Sequence, residues 1–481
     1  MNGLTKRASI PNPTPLLFLM AGTVAWCLVW IEDPGSPWLL LVLLLAAFIL
    51  LPASVSVLAN RPALALPVLM AAVVMPRLFV QIGGLKARPE HLACGLLIMA
   101  LPFWLRQPRE AVKWFRADYL LIAYLGAHLF SSLVMSISPG QTIKWALQQI
   151  IVVAAYFLVR VLVADKASFR RAFNILLVAG TMEAAYAILC FYSNLLFGTE
   201  FGMEIGQYGA IPGTYGTQYE ANLLGSYCGA CCVMMLIMYL REKNQKYLVG
   251  FAITFSAMAI SLSRGALAGT LFALLVAIYR SRKQFDYRRV SRLAVAALCI
   301  AVTVAPAVLG MWAERFSTIS APTEISDLAE DDSTRDRVLT LGLAVEGFAD
   351  HPILGNGTSS FQLNFNGPDF GLGDAAGWIG NSEARILYDT GVVGFGLLLA
   401  VLVSLGVGVK RVLKQGTNFA LEALVMAALV YCVSFQFTEG TLLAFPWVHL
   451  GLIASGVTIF LNSNGSEQNP GFPASPEFSS Q

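Results

Sequence analysis

Lys and Arg are unevenly spread along this chain, gathering in alternate gaps between long apolar runs, at 106–116, 166–171, 241–246, 280–292 and 410–414. Most of the intervening gaps are nearly free of both or carry long polar stretches. Alternation of this kind marks a chain threaded repeatedly through a bilayer, with its basic loops on the inner side. It sorts the sequence into a passive inner side and an outer side where chemistry is expected.

Composition agrees. Hydrophobic residues make up 57% of 481 positions and charged residues 13%, against about 25% charged in a soluble domain. Most of the chain therefore meets lipid. The net charge of +3 is small, and topology accounts for the basic clusters, so nucleic-acid binding is not suggested. The first apolar run, 15–31, follows Lys6 and Arg7 without a small-residue cleavage site and reads as a retained anchor. All eight cysteines fall inside apolar runs, which argues against a disulfide framework. Cys228, Cys231 and Cys232 lack a second pair and a nearby His, so core packing is a better reading than zinc.

A span needs about 20 apolar residues. On that rule the fold class is all-α, a polytopic transmembrane bundle of about fourteen helices. They are expected at 15–31, 38–58, 63–82, 90–105, 118–137, 144–164, 172–197, 221–240, 246–262, 265–280, 291–312, 391–410, 418–437 and 442–461. Only Ser263 and Arg264 separate the ninth from the tenth. An even count with Lys6 and Arg7 inside places both termini in the cytoplasm. Lys86 and Arg88 are the exception, falling outside. The bundle occupies 1–461, and a polar tail at 462–481 is expected to be disordered.

Two outer segments stand out. One is 198–220, containing Gly213-Thr214-Tyr215-Gly216-Thr217-Gln218-Tyr219-Glu220. The other, 313–390, is long enough to imply function. Its acidic front reads as a solvated face. Val338, Leu341, Val345 and Phe348 then recur at helical spacing, predicting an amphipathic helix on the membrane surface that stops at His351-Pro352.

Ionisable residues near the outer side are the site candidates. Arg264 either snorkels to water or clamps phosphate oxygens in bidentate fashion. Arg337 is a surface Arg or a second clamp. His351 precedes Pro352 and caps or orients its loop. Asn381, Glu383 and Arg385 precede the next membrane helix; Glu383 and Arg385 either pair with each other or leave Glu383 to take a proton from a hydroxyl nucleophile. Arg77 follows Pro76 in the third expected helix, on the same side as Arg264. His128 and Glu183 lie mid-helix, as intramembrane functional groups or as a helix–helix polar contact. Nucleotide-binding loops, zinc-protease helices and serine elbows are absent from the sequence. Arginines without Asp-rich metal ligands point to metal-free handling of a phosphorylated lipid, with no cofactor.

Four motifs make residues 210–410 resemble the O-antigen ligase and polymerase family of bacterial envelope proteins. Ser261-Leu262-Ser263-Arg264-Gly265 is similar to a Ser-x-Ser-Arg-Gly element of that family. Arg337 stands fourteen residues before His351-Pro352-Ile353-Leu354-Gly355-Asn356-Gly357, similar to an Arg preceding His-Pro-Leu-x-Gly-x-Gly. Asn381 through Gly391-Val392-Val393-Gly394 resembles Asn-x-Tyr-Leu…Gly-x-x-Gly, and Tyr219-Glu220-Ala221-Asn222 a Glu-Pro-Asn element.

The resemblance implies a glycosyltransferase on the outer face of the plasma membrane whose donor is a glycan on undecaprenyl pyrophosphate. Arg264 and Arg337 would hold the pyrophosphate, and a base, Glu383 or behind it His351, would activate the acceptor hydroxyl. Arg77, Tyr219, Glu220, Asn222, Asn381 and Arg385 would bind substrate. Membrane lipids and a chain-length regulator or export machinery are the implied partners. Ligases of the family carry a His immediately before the motif Asn, where this chain has Gly380, and Glu383 replaces the motif Tyr. Polymerisation of an exopolysaccharide or O-antigen is therefore favoured over ligation. A transporter or flippase is the competing class; it would show two related halves, and no internal repeat is seen.

Overall fold

A computed structural model describes residues 51–82, 85–105, 112–204, 213–282, 291, 311–312, 332–365, 378–416 and 418–467. The chain divides into two compact units, Met1–Val57 and Leu58–Gln481. Of the first, only 51–57, all helical, are described. The expected span at 15–31, most of those at 38–58 and 291–312, and the acidic front of the long loop lie outside the described residues.

Among the described residues the second unit is mainly helical, with short extended segments that include a two-stranded hairpin. Its helices are Ala65–Val74 (α1), Pro89–Leu105 (α2), Arg116–Val134 (α3), Pro139–Leu162 (α4), Lys166–Phe197 (α5), Ala221–Glu242 (α6) and Gln245–Ile260 (α7). Arg264–Ser281 (α8), Asp332–Asp350 (α9), Ser382–Gln415 (α10), Phe419–Ser434 (α11) and Ala444–Glu467 (α12) follow. Among the described residues, six helices are long and apolar enough to cross a membrane, namely α3, α4, α5, α6, α10 and the first 18 residues of α12. The apolar helices α2, α7 and α11 are shorter. The last helix continues to Glu467, into the segment expected to be tail.

The third expected span is corrected. α1 stops at Val74 because Met75 precedes Pro76, and a residue before proline is driven out of the helical region; Met75 sits at φ −116°, ψ 48°. Arg77 thus lies in a connector. Beyond it, Val80–Ile82 (β1) and Leu85–Ala87 (β2) pair antiparallel, with Val80 opposite Ala87.

Ion pairs tie several helix ends together. Arg160 near the end of α4 meets Asp118 at the start of α3 at 3.0 Å and donates to Thr458 of α12 at 2.7 Å. Glu422 at the start of α11 receives Arg241 from the end of α6 at 2.9 Å and Arg280 from the end of α8 at 3.4 Å. Arg170 near the start of α5 pairs with Glu242. Positive charge at these helix C-termini also complements the helix dipoles. α6 is the central helix, buried along nearly its whole length. Cys228 packs there against Ala184, Ala187, Leu224, Ala257 and Met258.

Two breaks shape the bundle elsewhere. Between α7 and α8 the chain turns at Leu262, held in the left-handed region at φ 54°, and Ser263 then caps α8 by accepting from the Ala266 amide at 3.2 Å. A β-carbon makes that conformation costly, about 1 kcal/mol or more. The second break is at Gly391 inside α10, with φ 62° and ψ −165°. The 352–357 segment supplies what the broken helix lacks: Val392 donates to Pro352 O at 2.9 Å, while the Asn356 and Gly357 amides donate to Tyr388 O and Asp389 O at 2.8 and 3.0 Å. The backbones cross so closely that a Cβ on Gly355 would lie 2.4 Å from the Thr390 nitrogen. The His-Pro…Gly-Asn-Gly motif and the glycine of α10 are thus two halves of one joint.

α9 realises the expected amphipathic helix. Thr340, Ala344 and Gly347 are buried, with Ala344 clustered with Ile379, Tyr388 and Phe361, whereas Val338 and Val345 are 62% and 58% exposed. Small residues make the protein contact, which leaves the apolar stripe outward, as suits a helix lying on lipid.

Candidate active site

Of the site candidates in the two outer segments, Glu220, Asn381, Glu383 and Arg385 bond to the short link between α11 and α12. The backbone entering α10 is fastened to that link: the Ser382 amide donates to Phe435 O at 2.9 Å and the Ile379 amide to Glu439 Oε1 at 2.8 Å. Asn381 caps α10, accepting from the Ala384 amide at 2.8 Å, and its Nδ2 donates to Gln436 O at 3.1 Å. On the other side of the link, Phe437 packs against Gly265, which brings the start of α8, and with it Arg264, to the same place.

Arg385 is the hub. It is 4% exposed. Its Nε donates to Asp389 at 2.9 Å, Nη1 to both oxygens of Glu439 at 2.9 and 2.8 Å, and Nη2 to Ser359 Oγ at 2.6 Å. A guanidinium so placed joins α10, the α11–α12 link and the 358–360 turn through charge-assisted bonds. The alternative of a Glu383–Arg385 pair is not realised. Glu383 points elsewhere, its Oε1 accepting from Gln436 Nε2 at 2.6 Å. Its Oε2 is shielded and has no hydrogen-bond partner among the described residues.

Glu220, at the start of α6, faces Thr438, whose hydroxyl donates to it. Burial pushes its carboxyl up to about 8, with Glu204 and Glu439 adding like charge, while the Thr438 hydroxyl and the Arg337 guanidinium pull the other way. The folded state therefore favours protonated Glu220. That contribution is complete below the ordinary carboxylate pKa and is lost as pH rises through about 8. Wild-type protein in detergent is accordingly expected to melt at falling temperature between pH 5 and pH 8.5, and Glu220→Gln to flatten that slope. Parallel slopes for the two proteins would refute the assignment.

Arg337 is partly exposed on α9. Its aliphatic stem approaches Gly380, and its charge reaches Glu220. Its guanidinium makes no hydrogen bond among the described residues. Arg264 is the first residue of α8, partly exposed where the free amides of the helix already favour an anion. Arg77 braces the first outer segment: Nη1 donates to Tyr219 O at 2.9 Å and the guanidinium lies 3.6 Å over the Tyr215 ring. Tyr219 stacks on Phe79, and Asn222 lies in the first turn of α6. His351 ends α9, its carbonyl accepting from the Gly355 amide at 2.8 Å.

His128 and Glu183 do not meet each other. His128 Nδ1 lies 2.8 Å from Thr358 Oγ1, and Glu183 accepts from the Thr217 amide and hydroxyl at 2.8 and 2.6 Å. Each ties a membrane helix to an outer segment.

Sequence reasoning missed Gln436, Thr438, Glu439 and Ser359. The signal for the first three was a polar break, Gln436 to Gly440, between two apolar helices on the outer side. Ser359 carried none. Residues 249–399 match a family model described as O-antigen ligase. No curated protein matches the chain.

Proposed function

On the premise that this membrane protein carries an O-antigen ligase domain over residues 249–399, we propose that it polymerises glycan repeats carried on undecaprenyl pyrophosphate, at the outer face of the plasma membrane. The observation that carries this reading is the gathering of Arg264, Arg337 and Glu383 around the α11–α12 link. An acceptor hydroxyl attacks the anomeric carbon of the donor glycan, and the bond from that carbon to the pyrophosphate oxygen breaks. The hydroxyl proton passes to Glu383, whose carboxylate is oriented by Gln436. The pyrophosphate leaves with the bonding electrons, and Arg264 and Arg337 offset its added charge. Asn381 and Arg385 act as positioning residues, since their bonds lie within the protein. No metal is required by this scheme.

Gly380 favours polymerisation over ligation. It holds φ +74°, and a Cβ there would sit 3.3 Å from Arg337 Cγ, so the ligase-type His would be strained at this position. The test is purified protein supplied with a defined lipid-linked oligosaccharide, with products sized. Repeat-length ladders are expected from the wild type, and loss of at least 99% of the rate from Glu383→Gln, within the 10²–10⁴-fold that acid–base groups contribute. Transfer to a lipid A-core acceptor without ladders would replace polymerase by ligase, and ladders from Glu383→Gln at the wild-type rate would remove Glu383 from the mechanism.

A further inference from the structure

The same end of the bundle holds a separate cavity of about 160 Å³, walled by Arg88, His91, Trp145, Gln148, Tyr219 and Ser359. It adjoins the site described above through Tyr219, through Leu442 of the α11–α12 link, and through Ser359, whose Oγ accepts from Arg385. Every other wall residue lies outside the 249–399 match. The chemistry common to the domain and the walls of this cavity thus come from different stretches of sequence.

The wall is polar, aromatic and balanced in charge. Arg88 Nε pairs with Glu90 at 2.9 Å and Nη2 donates to Leu442 O at 2.8 Å. Buried Gln149, also lining the cavity, is fixed by donating to Thr441 O at 2.9 Å. Trp145 and Gln148 have no hydrogen-bond partner among the described residues. An aromatic face beside amide and hydroxyl groups suits a sugar ring: its C–H face rests on the indole and its hydroxyl rim bonds to the amides. The volume admits one ring-sized group. Arg88 also explains the break in the charge alternation, because it stands at the site end to build this wall instead of marking a basic loop.

We propose that this cavity is a subsite that takes one neutral pyranose of the acceptor glycan and so selects the sugar to be extended. Its role for an acceptor rests on the transfer reaction proposed above; its affinity for a neutral sugar does not.

The experiment is saturation-transfer NMR on the full chain in detergent, titrated with methyl glucoside, methyl galactoside, methyl N-acetylglucosaminide and methyl glucuronide. Saturable binding of at least one neutral glycoside is expected, weakened tenfold or more by Trp145→Ala and by Gln148→Ala. Two variants guard against a single misfolded one, and each is checked by its melting temperature. Binding that ignores both substitutions, binding of the glucuronide alone, or no binding to the wild type overturns the proposal. Neutral-sugar binding that tracks Trp145, in a protein that turns over no lipid-linked glycan, upholds the subsite and removes the catalytic reading.

Discussion

Arg385→Met is expected to be the most destabilising single substitution at the outer end of the bundle. Removing the guanidinium leaves Asp389 and Glu439 buried, close together and without their counter-charge; both are under 6% exposed. Breaking a buried pair from one side costs about 3–5 kcal/mol, because the desolvation of the remaining charge is no longer offset. Arg385→Lys should recover little, since one ammonium cannot span Asp389, both oxygens of Glu439 and Ser359 at once. The double variant Arg385→Met with Glu439→Gln should recover part of the loss, because one stranded charge is gone. Thermal melting in detergent, read beside the amount of protein inserted, decides it. An Arg385→Met protein that melts within a degree of wild type would show that this hub does not hold the site together.

The second large effect falls on rate. If the proposed transfer reaction holds, Arg264→Ala and Arg337→Ala each slow glycan transfer by about 10²–10³-fold, the loss seen when one group stabilising transition-state charge is removed. Both side chains are partly exposed, so the folded protein should tolerate the changes. The double variant should fall well short of the product of the two losses, since residues that share one charge act as a unit. Lys at either position should restore part of the rate, keeping the charge and losing the bidentate fork. Measured rates with lipid-linked oligosaccharide that stay above half of wild type in either Ala variant would exclude that arginine from leaving-group stabilisation.

Particular elements show what was legible in the linear chain. Three of the basic gaps supply ion pairs, with Arg170 bonded to Glu242, and Arg241 and Arg280 both bonded to Glu422. The amphipathic α9 was readable from its spacing, and its stop at His351-Pro352 from the proline. The separation of α7 from α8, reduced in sequence to Ser263 and Arg264, became definite only when Leu262 was seen in the left-handed region. The third expected span was too long because hydropathy continues past Pro76 while the backbone cannot.

Sidedness, helix periodicity and helix ends are local properties. Each residue's transfer between water and lipid, or its backbone preference, decides them without reference to distant parts of the chain, so sequence alone determined that the chain is a bundle of apolar helices and where several of those helices stop. Which buried charge meets which counter-charge is a different kind of question. Arg385 and Glu439 are 54 residues apart, and Glu220 and Thr438 are 218 apart. A buried ion is tolerable only beside its partner, and that partner is chosen by how the helices cross. Tertiary structure therefore decided that Arg385 binds inside the protein, that Glu383 turns to Gln436, and that Arg88 walls a cavity.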